Sequence, residues 1–181
     1  MATHESFFQR YQSDEPQALA RKIEEDYQEL ASTRATGDDL MQLRCLSSLG
    51  SRLTIAGQED LAAPLLEQAL ALSRQLNEKQ LEVATLLHLA TAQQYLGRRN
   101  LAQDLFQEAL DKARAYEQPE YADFILHHRG RCFVEQGKLT EARACFEQAL
   151  LLRKQKGNQR GIVATQSALD ALQSMEELLE Q

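Results

Sequence analysis

His127-His128-Arg129-Gly130-Arg131-Cys132 is the most unusual local stretch of this chain. On a helix His128 and Cys132 share a face, four residues apart, and could hold a metal together with ligands from elsewhere. Two ligands do not make a site, so no metal is assigned. The stretch also suits an anion- or carboxylate-binding patch, or an ordinary polar wall, and both readings stay open. Protonation of the two adjacent histidines would make binding there pH-sensitive. Arg98-Arg99 lies where a helix begins, the end that disfavours cations; a solvated turn accounts for it. Known catalytic patterns are missing: there is no Gly-rich phosphate loop, no HExxH and no Gly-x-Ser-x-Gly. The many carboxylates are expected on solvent faces. We therefore expect no catalytic residues, no cofactor and no enzyme activity.

The elements that must position these side chains announce themselves through glycine. Gly57, Gly97 and Gly137 recur every 40 residues. Alanines stand five and twelve residues past each: Ala62 and Ala69, Ala102 and Ala109, Ala142 and Ala149. Leu66, Phe106 and Phe146 stand nine past. A fixed period of this size signals stacked supersecondary units. Ala, Leu, Glu and Gln dominate and β-branched residues are few, which predicts an all-α fold. About eight helices are expected. The first starts near Pro16 and is broken by Thr36-Gly37-Asp38-Asp39, which caps the next. The others run near 39–56, 59–76, 79–96, 99–116, 119–136, 139–155 and 159–180, separated by Gly57, Asn77, Gly97, Pro119, Gly137 and Gly157-Asn158. Pro64 falls about one turn into its helix, where it removes at most about one ladder bond.

The net charge of −7 lacks the basic footprint of a nucleic-acid binder. Charge is uneven along the chain: residues 1–36 carry −3, 37–76 −2, 77–116 0, 117–156 +1 and 157–181 −3. Cys45, Cys132 and Cys145 cannot all pair and form no CxxC, as suits reduced cysteines in the cytosol. The first residues lack the basic and apolar regions of a signal peptide. No apolar run approaches the roughly 18 residues of a membrane span. A cytoplasmic protein without membrane or nucleic-acid partners is expected.

These residues resemble the tetratricopeptide repeat (TPR) family. The signature places a large apolar residue, then Leu-Gly, an aromatic, and Ala-x3-Phe in the second helix. Leu46, Leu49-Gly50, Leu53, Ala62, Leu66 and Ala69 supply it first. Leu86, Leu89-Ala90, Ala102, Phe106 and Ala109 supply it next, and Leu126, Gly130, Phe133, Ala142, Phe146 and Ala149 last. Gln93 replaces the usual aromatic, Arg129 the usual leucine, and the terminal proline is missing. The period of 40 resembles the long-repeat subclass seen in kinesin light chains and several bacterial regulatory proteins.

The resemblance implies a right-handed superhelical solenoid of antiparallel helix pairs. Its expected parts are N-terminal capping helices at 1–42, repeats at 43–82, 83–122 and 123–162, and a C-terminal cap at 163–181. Shifting the pattern by 40 puts Lys22 and Asp26 on core positions, so the flanks leave the signature. Ile162, Leu169, Leu172, Met175 and Leu179 form an apolar stripe suited to covering the last repeat, and Phe7, Phe8 and Tyr11 are assigned the same task at the other end. In such arrays the first helix of each pair lines a concave groove. The groove positions carried over are Arg44, Ser47, Ser51 and Thr54; Leu87, His88, Thr91, Gln94 and Tyr95; and Phe124, His127, His128, Arg131 and Glu135. This implies a protein-interaction module for a peptide or helix, with an acidic partner favoured. Two alternatives remain: a regulatory sensor whose curvature responds to peptide, and a homodimer or larger homo-oligomer formed through the terminal helices. The Lys/Asn carboxylate clamp and the asparagine ladder of other family members are both missing.

Overall fold

The computed structural model describes residues 13–179, so Phe7, Phe8 and Tyr11 lie outside the described residues. All regular structure among these residues is helical. The helices are α1 (Pro16–Thr36), α2 (Asp39–Ile55), α3 (Glu59–Gln75), α4 (Lys79–Tyr95), α5 (Arg99–Ala115), α6 (Ala122–Glu135), α7 (Leu139–Gln155) and α8 (Gln159–Leu179). They match the expected segments within a residue or two, except that the helix expected from 119 opens as a 3-10 turn, Pro119–Tyr121. Pro64 sits inside α3 without ending it, as its early position allows. Asp38 caps α2, its side chain accepting from the Met41 N–H at 3.0 Å.

The described helices fall into two compact units, one ending at Tyr116 and one beginning at Glu117. In the first, α1 to α5 pack in succession, α1 joined to α2 by two residues and each later helix to the next by three. Its core alternates long and short side chains, as close packing of helix pairs requires. Leu43, Leu46, Leu49 and Leu53 of α2, Leu66 of α3, Leu86 of α4 and Phe106 of α5 are fully enclosed together with Ala62, Ala69, Ala90, Ala102 and Ala109. In the second unit Phe146 and Leu150 of α7 bury against Ala168, Leu169 and Leu172 of α8, with Ile162 and Met175 at the margin. Leu179, expected in the same stripe, is 76% exposed.

Two glycines inside helices serve close approach. A Cβ on Gly50 would lie 2.5 Å from Leu66 Cγ, and one on Gly130 would lie 2.8 Å from Phe146 Cε1. In these two pairs Leu66 of α3 and Phe146 of α7 therefore rest on bare backbone of the preceding helix, while Ala90 holds the equivalent place in α4.

Carboxylates depart most from expectation. Asp26, Glu59, Glu82 and Asp123 are buried rather than solvent-facing. Three of them are held by cations. Asp26 of α1 takes Arg52 and a 3.5 Å hydrogen bond from Ser48, both of α2. Glu82 of α4 takes Arg74 of α3 at 3.1 Å and Lys112 of α5 at 3.2 Å. Asp123 of α6 takes Arg153 and Lys156 of α7. Buried charge persists only when paired and hydrogen-bonded in this way.

Candidate functional site

In the first unit, α2 and α4 lie side by side and form an open, shallow cavity of about 460 Å³. Arg44, Ser47, Ser48, Ser51, Arg52, Ile55, Leu81, Ala84 and His88 line it. Four sequence-expected residues thus come together: Arg44, Ser47, Ser51 and His88. Helical spacing explains the wall of α2, since 44, 47, 48, 51, 52 and 55 share one face. Arg44 is exposed at the rim. Ser47 is buried, and its hydroxyl accepts from Thr85 Oγ1 at 3.1 Å, stitching α2 to α4. Burial pushes the pKa of the half-buried His88 down to about 4, so it presents a neutral ring at pH 7. No carboxylate lines the cavity. Its fixed charges are two guanidiniums, of which Arg52 is already paired with Asp26.

Thr91 and Tyr95 of α4 are half-buried and do not line this cavity. The Thr91 hydroxyl donates to Leu87 O at 2.9 Å, back along its own helix. Thr54 and Gln94 are buried, and Thr54 Oγ1 donates to Gly50 O at 2.8 Å. The sequence reading missed Ser48, Arg52, Ile55, Leu81 and Ala84 as lining. The period would have found two of them, because Ser48 stands 40 before His88 and Ala84 stands 40 past Arg44.

The second unit carries His127, His128, Arg131 and Glu135 on α6, all half-buried. His127 faces its neighbours: its ring packs 5.5 Å from Phe146 of α7, and Nδ1 lies 3.2 Å from Thr165 Oγ1 of α8. His128 stands edge-on to it, with centroids 5.9 Å apart. Burial, with the charges of Arg153 and Arg131, lowers the His127 pKa to about 3. The ring is neutral at physiological pH, contrary to a pH-sensing pair of histidines. Phe124 is 46% exposed, with the Arg153 guanidinium 5.4 Å from its centroid.

Beneath these residues lies a closed polar network. Arg153, 4% exposed, donates Nε to Asp123 Oδ2 at 3.1 Å and Nη1 to both Gly161 O at 2.9 Å and Thr165 Oγ1. The Thr165 hydroxyl donates to Gly161 O at 3.0 Å, so its oxygen is left to accept from Arg153 and from His127. Lys156 closes the other side, donating to Asp123, to Pro119 O at 3.1 Å and to Glu120 O at 2.9 Å. Three helices meet at one guanidinium.

No group of three or more His, Cys, Asp or Glu that could hold a metal occurs among the described residues. Cys45, Cys132 and Cys145 are buried thiols. Burial raises the thiol pKa of Cys45 and Cys145, which keeps them protonated and slow to react. Among the described residues no helix is long and apolar enough to cross a membrane.

Comparison with known proteins now has a geometry to meet. Two family models, both described as tetratricopeptide repeat, match residues 42–80 and 81–155. A solved structure of a Podosopora anserina protein, described as a kinesin light chain with nearly identical TPR-like repeats, is similar over 98% of this chain and 90% of that one. Its TM-score is 0.65 at 21% identity. A Q17M form of the same repeats gives a TM-score of 0.56 at 18% identity, over 93% of this chain and 94% of that one. These identities establish the fold. No curated protein matches the sequence.

Proposed function

Because this chain belongs to the tetratricopeptide-repeat family, whose repeats are generally protein-interaction modules, we propose that it binds an extended peptide or helix in the groove formed by the first helices of its pairs. The chain acts as a scaffold without chemistry of its own, in the cytoplasm, on a protein partner rather than nucleic acid or membrane. In this reading 43–82, 83–122 and 123–162 are the repeats, and 1–42 and 163–181 the caps.

The observation that carries the proposal is the cavity between α2 and α4. It is concave, lined by both helices, and mixes apolar surface (Ile55, Leu81, Ala84) with hydroxyls and the exposed Arg44 guanidinium. A cationic rim without a lining carboxylate favours an acidic side chain on the partner. His88 adds a neutral hydrogen-bonding group. On α6, His128, Arg131 and Glu135 extend the candidate set, with Thr91 and Tyr95 on α4.

The test compares partners recovered by affinity purification with wild type and with Arg44→Glu/Ser51→Leu, whose thermal melts are expected to coincide. Loss of specific partners from the variant alone supports groove binding. Identical recovery would place binding elsewhere on the protein.

A further inference from the structure

We infer that Asp123, Arg153 and Gly161 form a keyed joint, which accepts α8 on the face of α7 and rejects the opening helix of an ordinary repeat. The inference rests on comparing three turns of the same geometry. At 33–38, 73–78 and 153–158 the backbone closes identically: Asp38 N–H donates to Thr33 O at 3.2 Å, Glu78 N–H to Ser73 O at 2.9 Å, and Asn158 N–H to Arg153 O at 3.0 Å. The residue before each donor, Gly37, Asn77 or Gly157, has positive φ. Residues 33, 73 and 153 are therefore equivalent, as are the third residues of the helices that follow, 41, 81 and 161.

Sizes at these positions are exchanged in one joint only. Thr33 and Ser73 are small and buried, and the next helix answers with Met41 or Leu81. Arg153 is large and buried, and the next helix answers with Gly161. A Cβ on Gly161 would lie 2.8 Å from Arg153 Cδ. Arg153 cannot yield, because its head is fixed by Asp123, Gly161 O and Thr165. The same Cβ would meet Asn158 Nδ2 at 2.6 Å, but this cap can rotate: Asp38 caps α2 with Met41 in the corresponding place. The third member follows suit. Asp123 is fully buried where the first repeat, 80 residues earlier, has the fully buried Leu43.

A helix carrying Leu or Met at its third position would drive a side chain into Arg153. An ordinary repeat, whether from this chain in a wrong register or from a second copy, is excluded from the face of α7. Specificity by steric and polar mismatch of this kind is how helical assemblies fix register. The face of α7 is thereby reserved for α8.

The test is a mutational cycle in the full chain, read by amide hydrogen exchange of α8. Arg153→Ser and Gly161→Leu are each expected to accelerate exchange at least about tenfold. The triple variant Asp123→Leu/Arg153→Ser/Gly161→Leu copies the Leu43/Ser73/Leu81 joint and is expected to return within about threefold of wild type. Exchange in the triple faster than in either single variant would overturn the inference, since independent costs would then simply accumulate. Should Gly161→Leu fail to fold, Gly161→Ala decides: its acceleration must shrink at least about threefold when Arg153 is Ser. The Asn158 contact is common to both backgrounds and cancels. An equal acceleration in both would refute the keyed joint.

Discussion

Replacing Glu117 by glycine is expected to stabilise the protein. The described chain visits positive φ at residues 37, 57, 77, 97, 117, 137 and 157, one every 20 residues and one per interhelical turn. Five are glycines, one is Asn77 at φ 55°, and one is Glu117 at φ 56°. An L residue with a Cβ held there costs about 1–2 kcal/mol, because Cβ crowds the following carbonyl. Glycine removes that cost but gains freedom in the unfolded chain, which takes back about 0.4–1 kcal/mol. Gly97 and Gly137 occupy equivalent turns, and a Cβ on either meets nothing within 4 Å, so the backbone preference acts alone in this geometry. The net gain is about 0.5–1 kcal/mol, or roughly 1–4 °C in Tm for a chain of this size. Gly137→Glu, the reverse exchange, is expected to lower Tm by a similar amount. Far-UV circular dichroism melts of the three proteins under one set of conditions measure both. A Glu117→Gly protein that melts below wild type, or a Gly137→Glu protein that melts with it, would refute the reasoning.

Gly130→Val should cost about 1–3 kcal/mol by overpacking, since even its Cβ meets the enclosed Phe146 ring; urea denaturation midpoints measure this, and a midpoint equal to that of wild type would contradict it. Glu82 is pushed up by burial, but hydrogen bonds from Tyr116 at 2.6 Å, Lys112 and Arg74 outweigh this and hold its carboxyl below the usual range. Its stabilisation is therefore full above the unfolded pKa near 4.3 and fades as pH falls through the lower folded value. The Tm gap between wild type and Glu82→Gln should narrow over that window, and a gap that widens on acidification contradicts the assignment. His127, with a folded pKa of about 3, should show imidazole NMR shifts unchanged from about pH 8 to 5. Because the unfolded ring titrates near 6.5, its contribution to stability is lost as pH falls from about 6.5 towards 3. An NMR midpoint near 6.5 in the folded protein would show that His127 is solvated instead.

Helix boundaries were legible because glycine, asparagine and alanine mark the turns and close contacts, and these depend on local backbone and size alone. The 20-residue rhythm of positive φ was only half visible, since Glu117 obeys it without a turn residue to advertise it. Buried carboxylates were illegible for a different reason. Asp123 and Arg153 are 30 residues apart, and neither a helical nor a repeat period links them. A lone charged residue reads as solvent-facing until its partner is known. Along the α2–α4 cavity the face of α2 was legible from helical spacing, and His88 of α4 with it, while Leu81 and Ala84 were not.

Differences between repeats are a natural place to seek binding specificity, and the His127–Arg131 segment stood out on that ground. The structure divides such differences into two kinds. Ser47 and His127, at one position of the period, both reach a threonine 38 residues on, Thr85 and Thr165. They differ in type yet share a task, joining one first helix to the next. The exchange of serine for histidine accompanies the joint below it: a neutral imidazole reaches Thr165 without adding charge beside the Arg153 guanidinium. His127 is thus explained by Arg153, and Arg153 by the need to seat α8. The set proposed for a partner is the outer one: Arg44, Ser51 and His88 around one cavity, and His128, Arg131 and Glu135 on α6. Repeat-to-repeat variation therefore becomes evidence for binding only after the variation that closes the array has been subtracted.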